Sequence, residues 1–486
     1  MRIKMKFLLK AGLLLLICVL AFILFSVFSF LFFENQNKSF LYPVVYTIIA
    51  FTIGYVSTRF VPVKPIVFVI IIGSVSFCAA LVVALKAHTE PISDFLNLYK
   101  LSELLKNGKL DIMHNSEYFL RWAYQSFFVI YQAFIMTLFP WGITPLLVFN
   151  ALFIAGTVIF IYLIAKNIFQ EKTARFITVI FFLYPSKYFL ASVLTNQHIS
   201  LFFLLLGSYI ILRNLTIKNG ILGGFIIAIG NAFRMDGMLV IVSIILLAII
   251  IFISQKEKLA NKMKTITPLA ISAVCCFLTG FLISSIVMLS GVNPNGQKNM
   301  YPLWIFVVGL NAETKGGYSA EIAEEALSSA DISSNRKAQI EIVRRHLSVK
   351  GGLFSQLTEK SWIFWGRNEE TNWAFRGQDE RNIPIVNKTL GSVLKHAKQV
   401  ERVYFSIILL FALSSLVLVF ISKNDLNPML IFCGLVFLMF FIVYIFIECQ
   451  PRYRYFSYPF LFILAGSAIE QIYDKGVIWS RFSRRK

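Results

Sequence analysis

The sequence predicts an all-α polytopic membrane protein, with a bundle of about twelve transmembrane helices, interfacial helices and a large external loop. Of its 486 residues, 57% are hydrophobic and 15% are charged, whereas soluble domains contain about 45–50% apolar and about 25% charged residues. Several apolar runs reach the roughly 18 residues that a helix needs to cross a bilayer. The basic residues concentrate in short segments between these runs, as is typical of membrane proteins.

Twelve apolar segments are predicted to cross the membrane. The first has a basic head like that of a signal peptide, but its apolar run is too long and no small-residue cleavage site follows, so we interpret it as a retained span. The polar stretch NAFRMDG divides residues 219–254 into a hairpin of two spans. The predicted spans are 7–33, 41–58, 65–86, 146–165, 176–194, 199–213, 219–233, 238–254, 266–290, 403–421, 429–447 and 457–472.

The distribution of Lys and Arg orients this bundle. If the N-terminus lies in the cytoplasm, the short cytoplasmic segments hold many basic and few acidic residues, as the positive-inside rule requires. The even number of spans then returns the basic tail DKGVIWSRFSRRK to the same side. We therefore expect a multi-pass protein of the plasma membrane with both termini in the cytoplasm.

Two long segments remain on the external side. The first, 87–145, contains RWAYQSFFVIYQAFIMTLFP, whose Arg121, Gln125 and Gln132 favour a helix that lies on the outer interface over a span. The second, 291–402, mixes both charges. The expected domains are two extra N-terminal helices over 1–64, a transmembrane core over 65–290 with the external loop 87–145, an external loop domain over 291–402, and C-terminal helices with a basic tail over 403–486.

Composition and motifs exclude several classes of protein. The net charge of +21 comes mainly from short loops and no nucleic-acid reading motif is present, so we expect no nucleic-acid partner. The six cysteines lie mostly in apolar runs without metal-type spacing, which argues against disulfides and zinc. No paired broken helices occur in corresponding halves, which disfavours a secondary transporter.

The predicted topology gathers polar residues from distant segments at the external ends of the spans. Ionisable residues at the membrane edge are costly and mark functional sites by default. Guanidinium groups match phosphate oxygens and stay charged, and a carboxylate such as Asp94 can act as a general base. The candidates are Asp94 as the base, Arg234, Arg452, Arg454 and Lys187 as phosphate ligands, and Asn196, His198, Asp236, Tyr453 and Tyr455 as cavity-lining residues.

Each of these residues also has a structural interpretation. Ser93 and Asp94 could cap the amphipathic helix that follows, whose apolar residues Phe95, Leu98, Leu101 and Leu105 would rest on the outer leaflet. Arg452 and Arg454 could extend to lipid headgroups. Arg234 and Asp236 could form a surface ion pair, and Lys187 could have a structural partner. His88, Glu90 and Asp94 could share a metal ion, although the signal for one is weak.

Five motifs together resemble the GT-C glycosyltransferases, in particular bacterial relatives of the protein O-mannosyltransferases and the aminoarabinose transferases. They follow in the order expected for that fold between residues 65 and 470: ISDFLNLY, AYQSFFVIYQAFIMTLFPWGITPLLVFNALFIAGTVIFIYLIAKNIF, YPSKYFLASVLTNQHISLFFLLLG, GGFIIAIGNAFRMDGMLVIV and ECQPRYRYFSYPFLFILAG. The resemblance implies that Asp94 is the catalytic base and that Arg234, Arg452 and Arg454 contact the donor phosphate. Many relatives carry a second acid where this chain has Phe95, and the aminoarabinose transferases often have an acid at the position of Asn196.

The resemblance implies an inverting transfer of a sugar from a polyprenyl-phosphate donor, such as undecaprenyl phosphate, to a hydroxyl on an external acceptor. We expect a cell-wall or surface glycopolymer such as teichoic acid as the acceptor, with a protein hydroxyl as the second choice. The chemistry requires no dissociable cofactor and is compatible with a divalent cation. Two alternatives remain open, an O-antigen-type polymerase or ligase and a flippase for lipid-linked sugars.

Overall fold

The computed structural model describes residues 2–33, 41–87, 89–114, 116–254, 259–348, 352–367, 373–375, 382–383, 388–422 and 427–473. Almost all of its regular structure is helical. The helices are α1 Arg2–Phe33, α2 Leu41–Phe60, α3 Pro65–Lys86, α4 Ser93–Lys106, α5 Glu117–Arg121, α6 Gln125–Leu138, α7 Thr144–Ile168, α8 Glu171–Leu183, α9 Ser186–Phe189, α10 Gln197–Arg213, α11 Ile217–Phe233, α12 Gly237–Ser254, α13 Leu259–Leu289, α14 Trp304–Gly309, α15 Ala320–Ala326, α16 Ile332–Leu347, α17 Leu353–Gly366, α18 Leu390–Ile421, α19 Pro428–Phe446 and α20 Tyr458–Leu464. Two 3₁₀ turns, Asp111–Met113 and Pro451–Phe456, and an antiparallel pair of two-residue strands, β1 Asn382–Ile383 and β2 Lys388–Thr389, complete the described elements.

The prediction of an all-α polytopic membrane protein is confirmed. Within the described ranges, eight helices are long and apolar enough to cross a membrane: α1, α2, α3, α7, α12, α13, α18 and α19. The other four predicted spans correspond to the shorter helices α8, α10, α11 and α20. The 17 residues of α10 give a length of about 25 Å at about 1.5 Å per residue, slightly less than the hydrocarbon core.

Glycines bring α11 close to its neighbours. A Cβ atom on Gly220 or Gly224 would collide with the backbone of Pro268 or Ser272 in α13, and one on Gly223 would lie 2.8 Å from the carbonyl oxygen of Gly207 in α10. Small residues spaced by four allow helices in a membrane to approach until their backbones touch. This packing fixes the end of α11, where Arg234 follows.

Helix α4 is embedded in protein, so the prediction that its apolar face rests on the outer leaflet is wrong. Phe95 and Leu98 are buried, and Leu98 packs in a cluster against which Leu101 and Leu105 also pack. The partner is α6, and the Ser102 hydroxyl joins the two helices by donating to Gln132 Oε1 at 2.8 Å. Because α6 covers the apolar face of α4, that face is not available to lipid.

The helix start at Ser93 also differs from the predicted cap. Ile92 occupies the N-cap position and provides no side-chain cap. Ser93 has a φ of +52°, a left-handed conformation that is uncommon for any residue other than glycine. The chain therefore turns sharply at this point, and Asp94 lies in the first turn of α4.

The predicted external loop domain contains two helices, α15 and α16, which pack with Tyr301 and Trp304 in a small hydrophobic cluster. Its predicted boundary with the C-terminal helices differs from the observed one. Helix α18 begins at Leu390, ahead of the span predicted from residue 403. The basic tail at 474–486 and His88 lie outside the described residues.

Candidate functional site

A large cavity of about 1170 Å³ lies where α4, α5, α6 and α11 meet the segments that precede α14 and follow α19. Its lining combines charged, amide and aromatic side chains. Six of the residues that the sequence singled out line it: Asp94, Asn196, Arg234, Asp236, Arg452 and Tyr453. The predicted convergence of distant polar segments therefore occurs for these six side chains.

Asp94 offers an open carboxylate to this cavity. Its side chain is exposed to the cavity space and makes no hydrogen bond among the described residues. Partial burial raises the pKa of Asp94, while the positive charges of Arg452 and Arg121 lower it. The position in the first turn of α4 also favours the carboxylate, because a helix N-terminus carries a partial positive charge. Asp94 is thus placed to accept a proton from a bound hydroxyl.

Arg452 is held with its terminal nitrogens uncommitted. Its guanidinium lies over the rings of Trp373, at 4.3 Å, and Phe95, at 4.9 Å, and its Nε donates to Gln450 Oε1 at 2.8 Å. Within the described ranges, neither terminal nitrogen makes a hydrogen bond. Gln197 fixes the backbone by donating to the Arg452 carbonyl oxygen at 2.9 Å. A guanidinium supported on aromatic faces with free donors is suited to bind phosphate oxygens.

Arg234 is anchored by a buried counter-charge. Its Nε donates to Asp236 Oδ2 at 2.5 Å, and the side chains are 13% and 8% exposed. The hydroxyl of Tyr444 donates to the other carboxylate oxygen at 2.6 Å, and the guanidinium lies 4.4 Å from the ring of Tyr453. The alternative of a surface ion pair is therefore wrong, because both partners line the cavity and are shielded from bulk water.

Asn196 connects the helices that surround the cavity. Its Nδ2 donates to Gln125 Oε1 at 2.9 Å and to the carbonyl oxygen of Phe233 at 2.7 Å. It thereby joins the start of α10 to α6 and to the end of α11, next to Arg234. An amide can make these contacts without a charge that would compete for the guanidinium.

Two predicted phosphate ligands do not line the cavity. Lys187 is 1% exposed and donates to the carbonyl oxygens of Phe181, Phe182 and Tyr184, at 2.5, 3.0 and 2.6 Å. Its ammonium group is consumed by the turn between α8 and α9, so the structural interpretation applies. Arg454 is also 1% exposed, and its Nη1 donates to the carbonyl oxygen of Trp365 at 2.6 Å.

His198 and Tyr455 pair with each other away from the cavity wall. The Tyr455 hydroxyl lies 2.8 Å from His198 Nδ1, and both residues are buried. The Pro451–Phe456 turn explains why neighbours in sequence separate: Arg452 and Tyr453 line the cavity, whereas Arg454 and Tyr455 pack behind it. Arg454 and Tyr455 therefore support the turn from the side that faces away from the cavity.

Several cavity residues are absent from the sequence-based set. Glu448 lines the cavity, and burial and the nearby charge of Asp94 raise its pKa. The sequence signal that could have identified Glu448 was its position at the end of a long predicted span. Arg121 also lines the cavity, although the sequence indicated only an interfacial helix there. The other cavity residues outside the sequence-based set are aromatic or amide side chains, which give no charge signal, or belong to the external loop domain. They are Tyr118, Trp122, Tyr124, Gln125, Gln297, Lys298, Asn299, Trp304, Tyr318, Arg336, Tyr444 and Gln450.

The described residues contain no group of three or more His, Cys, Asp or Glu side chains placed to hold a metal ion. Of the three carboxylates on the cavity wall, Asp236 is engaged by Arg234 and Tyr444. Asp94 and Glu448 remain as carboxylates without an ion pair among the described residues, and Mg²⁺ is usually bound by one or two carboxylates together with substrate phosphates and water. Metal dependence stays an expectation drawn from the chemistry alone.

Comparison with known proteins adds one family and one fold similarity. The family model described as dolichyl-phosphate-mannose-protein mannosyltransferase matches residues 127–282, about a third of the chain. Among curated proteins, none matches.

Two structures of an oligosaccharyltransferase from Archaeoglobus fulgidus are similar. The form tethered to an acceptor peptide shows 10% identity and a TM-score of 0.44, covering 92% of this chain and 51% of that chain. The apo form shows 12% identity and a TM-score of 0.41, with 93% and 52% covered. The chain thus spans about half the length of that enzyme, and scores this low carry no argument about activity.

The matched segment contains three of the sequence-predicted residues that line the cavity, Asn196, Arg234 and Asp236. It also covers most of the motif that begins AYQSFF and the whole of the two motifs that follow it. The similarity to the mannosyltransferase family of GT-C glycosyltransferases that the motifs indicated is therefore confirmed over residues 127–282 of this multi-pass membrane protein.

Proposed function

We propose that this protein is an inverting glycosyltransferase that moves a sugar from a polyprenyl-phosphate donor to a hydroxyl of an extracytoplasmic acceptor. The observation that carries the proposal is the arrangement of one cavity wall, with the open carboxylate of Asp94 and the uncommitted guanidinium of Arg452 on it. A base and a phosphate ligand are the two groups that a single displacement at a sugar phosphate requires.

In the proposed reaction, the acceptor hydroxyl gives its proton to Asp94 as its oxygen attacks the anomeric carbon of the donor sugar. The bond between that carbon and the phosphate oxygen breaks, and its electron pair stays with the lipid phosphate. Arg452 and Arg234 stabilise the charge that grows on this leaving group. A single displacement from the face opposite the phosphate inverts the anomeric configuration.

The acceptor and the location are part of the proposal. A cell-wall or surface glycopolymer is the first candidate acceptor, with the site on the external face of the plasma membrane. The matching family model is described by mannosyl transfer to protein, so a protein hydroxyl is the second candidate. No described contact favours a flippase, because the charged residues that line the cavity cluster in a single site.

Replacing Asp94 with asparagine tests the proposal. We expect transfer from undecaprenyl-phosphate hexose in reconstituted membranes to fall by roughly 10²- to 10⁴-fold, the usual contribution of a general base. The thermal midpoint should stay unchanged, because the Asp94 side chain makes no hydrogen bond to any residue that the structure describes. Asp111→Asn is the matched control, since Asp111 is an exposed acid in the same external loop and does not line the cavity. Full transfer by Asp94→Asn would overturn the assignment.

A further inference from the structure

Three cations lie together at the part of the cavity that the external loop domain covers. They are Arg121 at the end of α5, Lys298 in the segment before α14, and Arg336 on α16. Arg121 supplies a positive charge that lowers the pKa of Asp94, whereas Lys298 and Arg336 have no role in the proposed displacement at the anomeric carbon. Below, these three residues are called the basic rim.

The basic rim is held together by backbone contacts. Residues on either side of Arg121 bond to residues that follow Lys298: the carbonyl oxygen of Leu120 accepts from the Met300 amide at 2.8 Å, and the Ala123 amide donates to Asn299 Oδ1 at 2.8 Å.

Arg336 joins the same segment, since its Nε donates to the Met300 carbonyl oxygen at 2.9 Å. Nearby, Asn335 donates from its Nδ2 to the Tyr301 hydroxyl at 3.1 Å. The helix that carries Arg336 is thereby tied to the segment that carries Lys298. The fold therefore holds together the segments that carry the three cations, and all three side chains line the same cavity.

Arg121 has unused hydrogen-bonding capacity in this position. Its side chain is 16% exposed and lies over the buried ring of Trp304 at 4.7 Å. Within the described part of the chain, its guanidinium makes no hydrogen bond. Its ion pair within the described ranges is with Glu117, at 3.8 Å and 59% exposed, a distance too long for a hydrogen bond and a pairing weak enough for another anion to displace. Asp94 is a second acid near it, since the charge of Arg121 lowers the pKa of Asp94.

The charge on the rim is unbalanced. Among the described residues, Glu117 is the single acid within ion-pair distance of it, against the three cations Arg121, Lys298 and Arg336. Exposed Tyr318 and half-buried Trp122 also line the cavity, and their aromatic surfaces suit the faces of sugar rings. A neutral glycan or an uncharged peptide gives such a rim nothing to pair with, whereas oxyanions would occupy its free donors.

We propose that the basic rim is an acceptor subsite for a polyanionic glycopolymer, in which a repeating oxyanion docks on Arg121, Lys298 and Arg336 while a neighbouring hydroxyl reaches Asp94. This inference rests on the proposed function and names the class of its acceptor. The oxyanion is either a phosphodiester or a carboxylate, which share this chemistry. The rim selects the acceptor and takes no part in the bond exchange.

The double variant Lys298→Gln, Arg336→Gln tests this subsite and leaves Asp94 and Arg452 intact. Three acceptors of matched length are compared: a polyol-phosphate oligomer, a uronate oligomer and a neutral glycan. We expect KM for the preferred anionic acceptor to rise about tenfold or more, with kcat, donor KM and neutral-glycan KM within twofold of wild type. The control is Lys337→Gln, Arg344→Gln, which removes the same charge from exposed positions of α16 outside the cavity.

The anionic acceptor that loses most identifies the docked group. An equal loss with all three acceptors, a rise in donor KM, or the same loss in the control variant would overturn the subsite. Direct binding of the anionic oligomers to the protein at low and high salt gives a second readout. If no acceptor receives sugar but the oligomers bind through the rim, the proposed function fails and the subsite stands. If transfer proceeds but binding ignores the rim, the subsite fails alone.

Discussion

Replacing Asp236 with asparagine tests whether a buried counter-charge holds Arg234 in the cavity wall. The substitution preserves size and retains an oxygen that can accept from Tyr444, so it removes mainly the negative charge. Arg234 then remains charged, because guanidinium groups do not deprotonate in proteins, and its side chain is only 13% exposed. The perturbation therefore isolates the cost of one uncompensated cation.

The burial of the pair sets the expected magnitude. Removing one partner of a buried ion pair costs about 3–5 kcal/mol, and we expect about 3 kcal/mol because the cavity gives Arg234 some water. The matched control is Glu325→Gln, which breaks the pair with Arg345 at 2.6 Å. Those side chains are 45% and 56% exposed, and exposed pairs contribute about 0–1 kcal/mol. The two pairs have similar lengths, so burial is the main variable.

Thermal unfolding of the purified protein in detergent measures this difference, and transfer assays measure its effect on the site. Asp236→Asn should lower the midpoint clearly more than Glu325→Gln. Transfer should fall about tenfold or more, because Arg234 loses its fixed orientation towards the donor phosphate. If both variants lowered the midpoint equally, or if Asp236→Asn kept full transfer, the counter-charge would not be what positions Arg234.

Three further predictions follow from single contacts. Burial raises the pKa of Asp94 and the base must be ionised, so the transfer rate should fall as the pH drops through a pKa above the ordinary range of aspartate. Arg452→Met removes a charge that lowers this pKa, so the acidic limb of its pH–rate profile should lie at higher pH than that of the wild type. Lys187→Met leaves buried carbonyl oxygens unpaired and should cost about 1–3 kcal/mol or more in thermal stability while donor KM stays unchanged. Gly309→Ala places a Cβ 2.5 Å from the Glu448 amide nitrogen, so both the midpoint and the transfer rate should fall.

The positions of the long helices could be predicted from the sequence, because apolar length alone determines them. Residues 65–86 and 238–254 were placed within one residue of α3 and α12. The four shorter helices were also found, since polar residues bound them. The sequence pattern could not show which neighbouring elements cover a helix. The apolar face of α4 has the same sequence whether lipid or α6 covers it, and only the Ser102–Gln132 contact shows that it is α6.

The site was predictable to the extent that it depends on topology. Asp94, Arg234 and Arg452 follow helix ends that a consistent topology places on one face, so their convergence could be inferred. The direction of each side chain could not. Lys187 satisfies carbonyl oxygens that the chain exposes where α8 ends, and Arg454 does the same for Trp365. Nothing in their sequence context distinguishes these cations from Arg452.

Phe95 shows how a departure from a motif changes meaning in three dimensions. By sequence, it stands where many relatives carry a second acid. In the structure, Phe95 is buried against Trp373, at 5.6 Å between ring centroids, and supports the guanidinium of Arg452.

A carboxylate at this position would have to be buried between aromatic rings, at a high cost in desolvation. A further acid of the cavity wall is Glu448, more than 350 residues later. Its backbone amide donates to the Ile305 carbonyl oxygen at 2.8 Å, which ties it to the external loop domain. The fold therefore brings Asp94 and Glu448, which are distant in sequence, to the wall of one cavity.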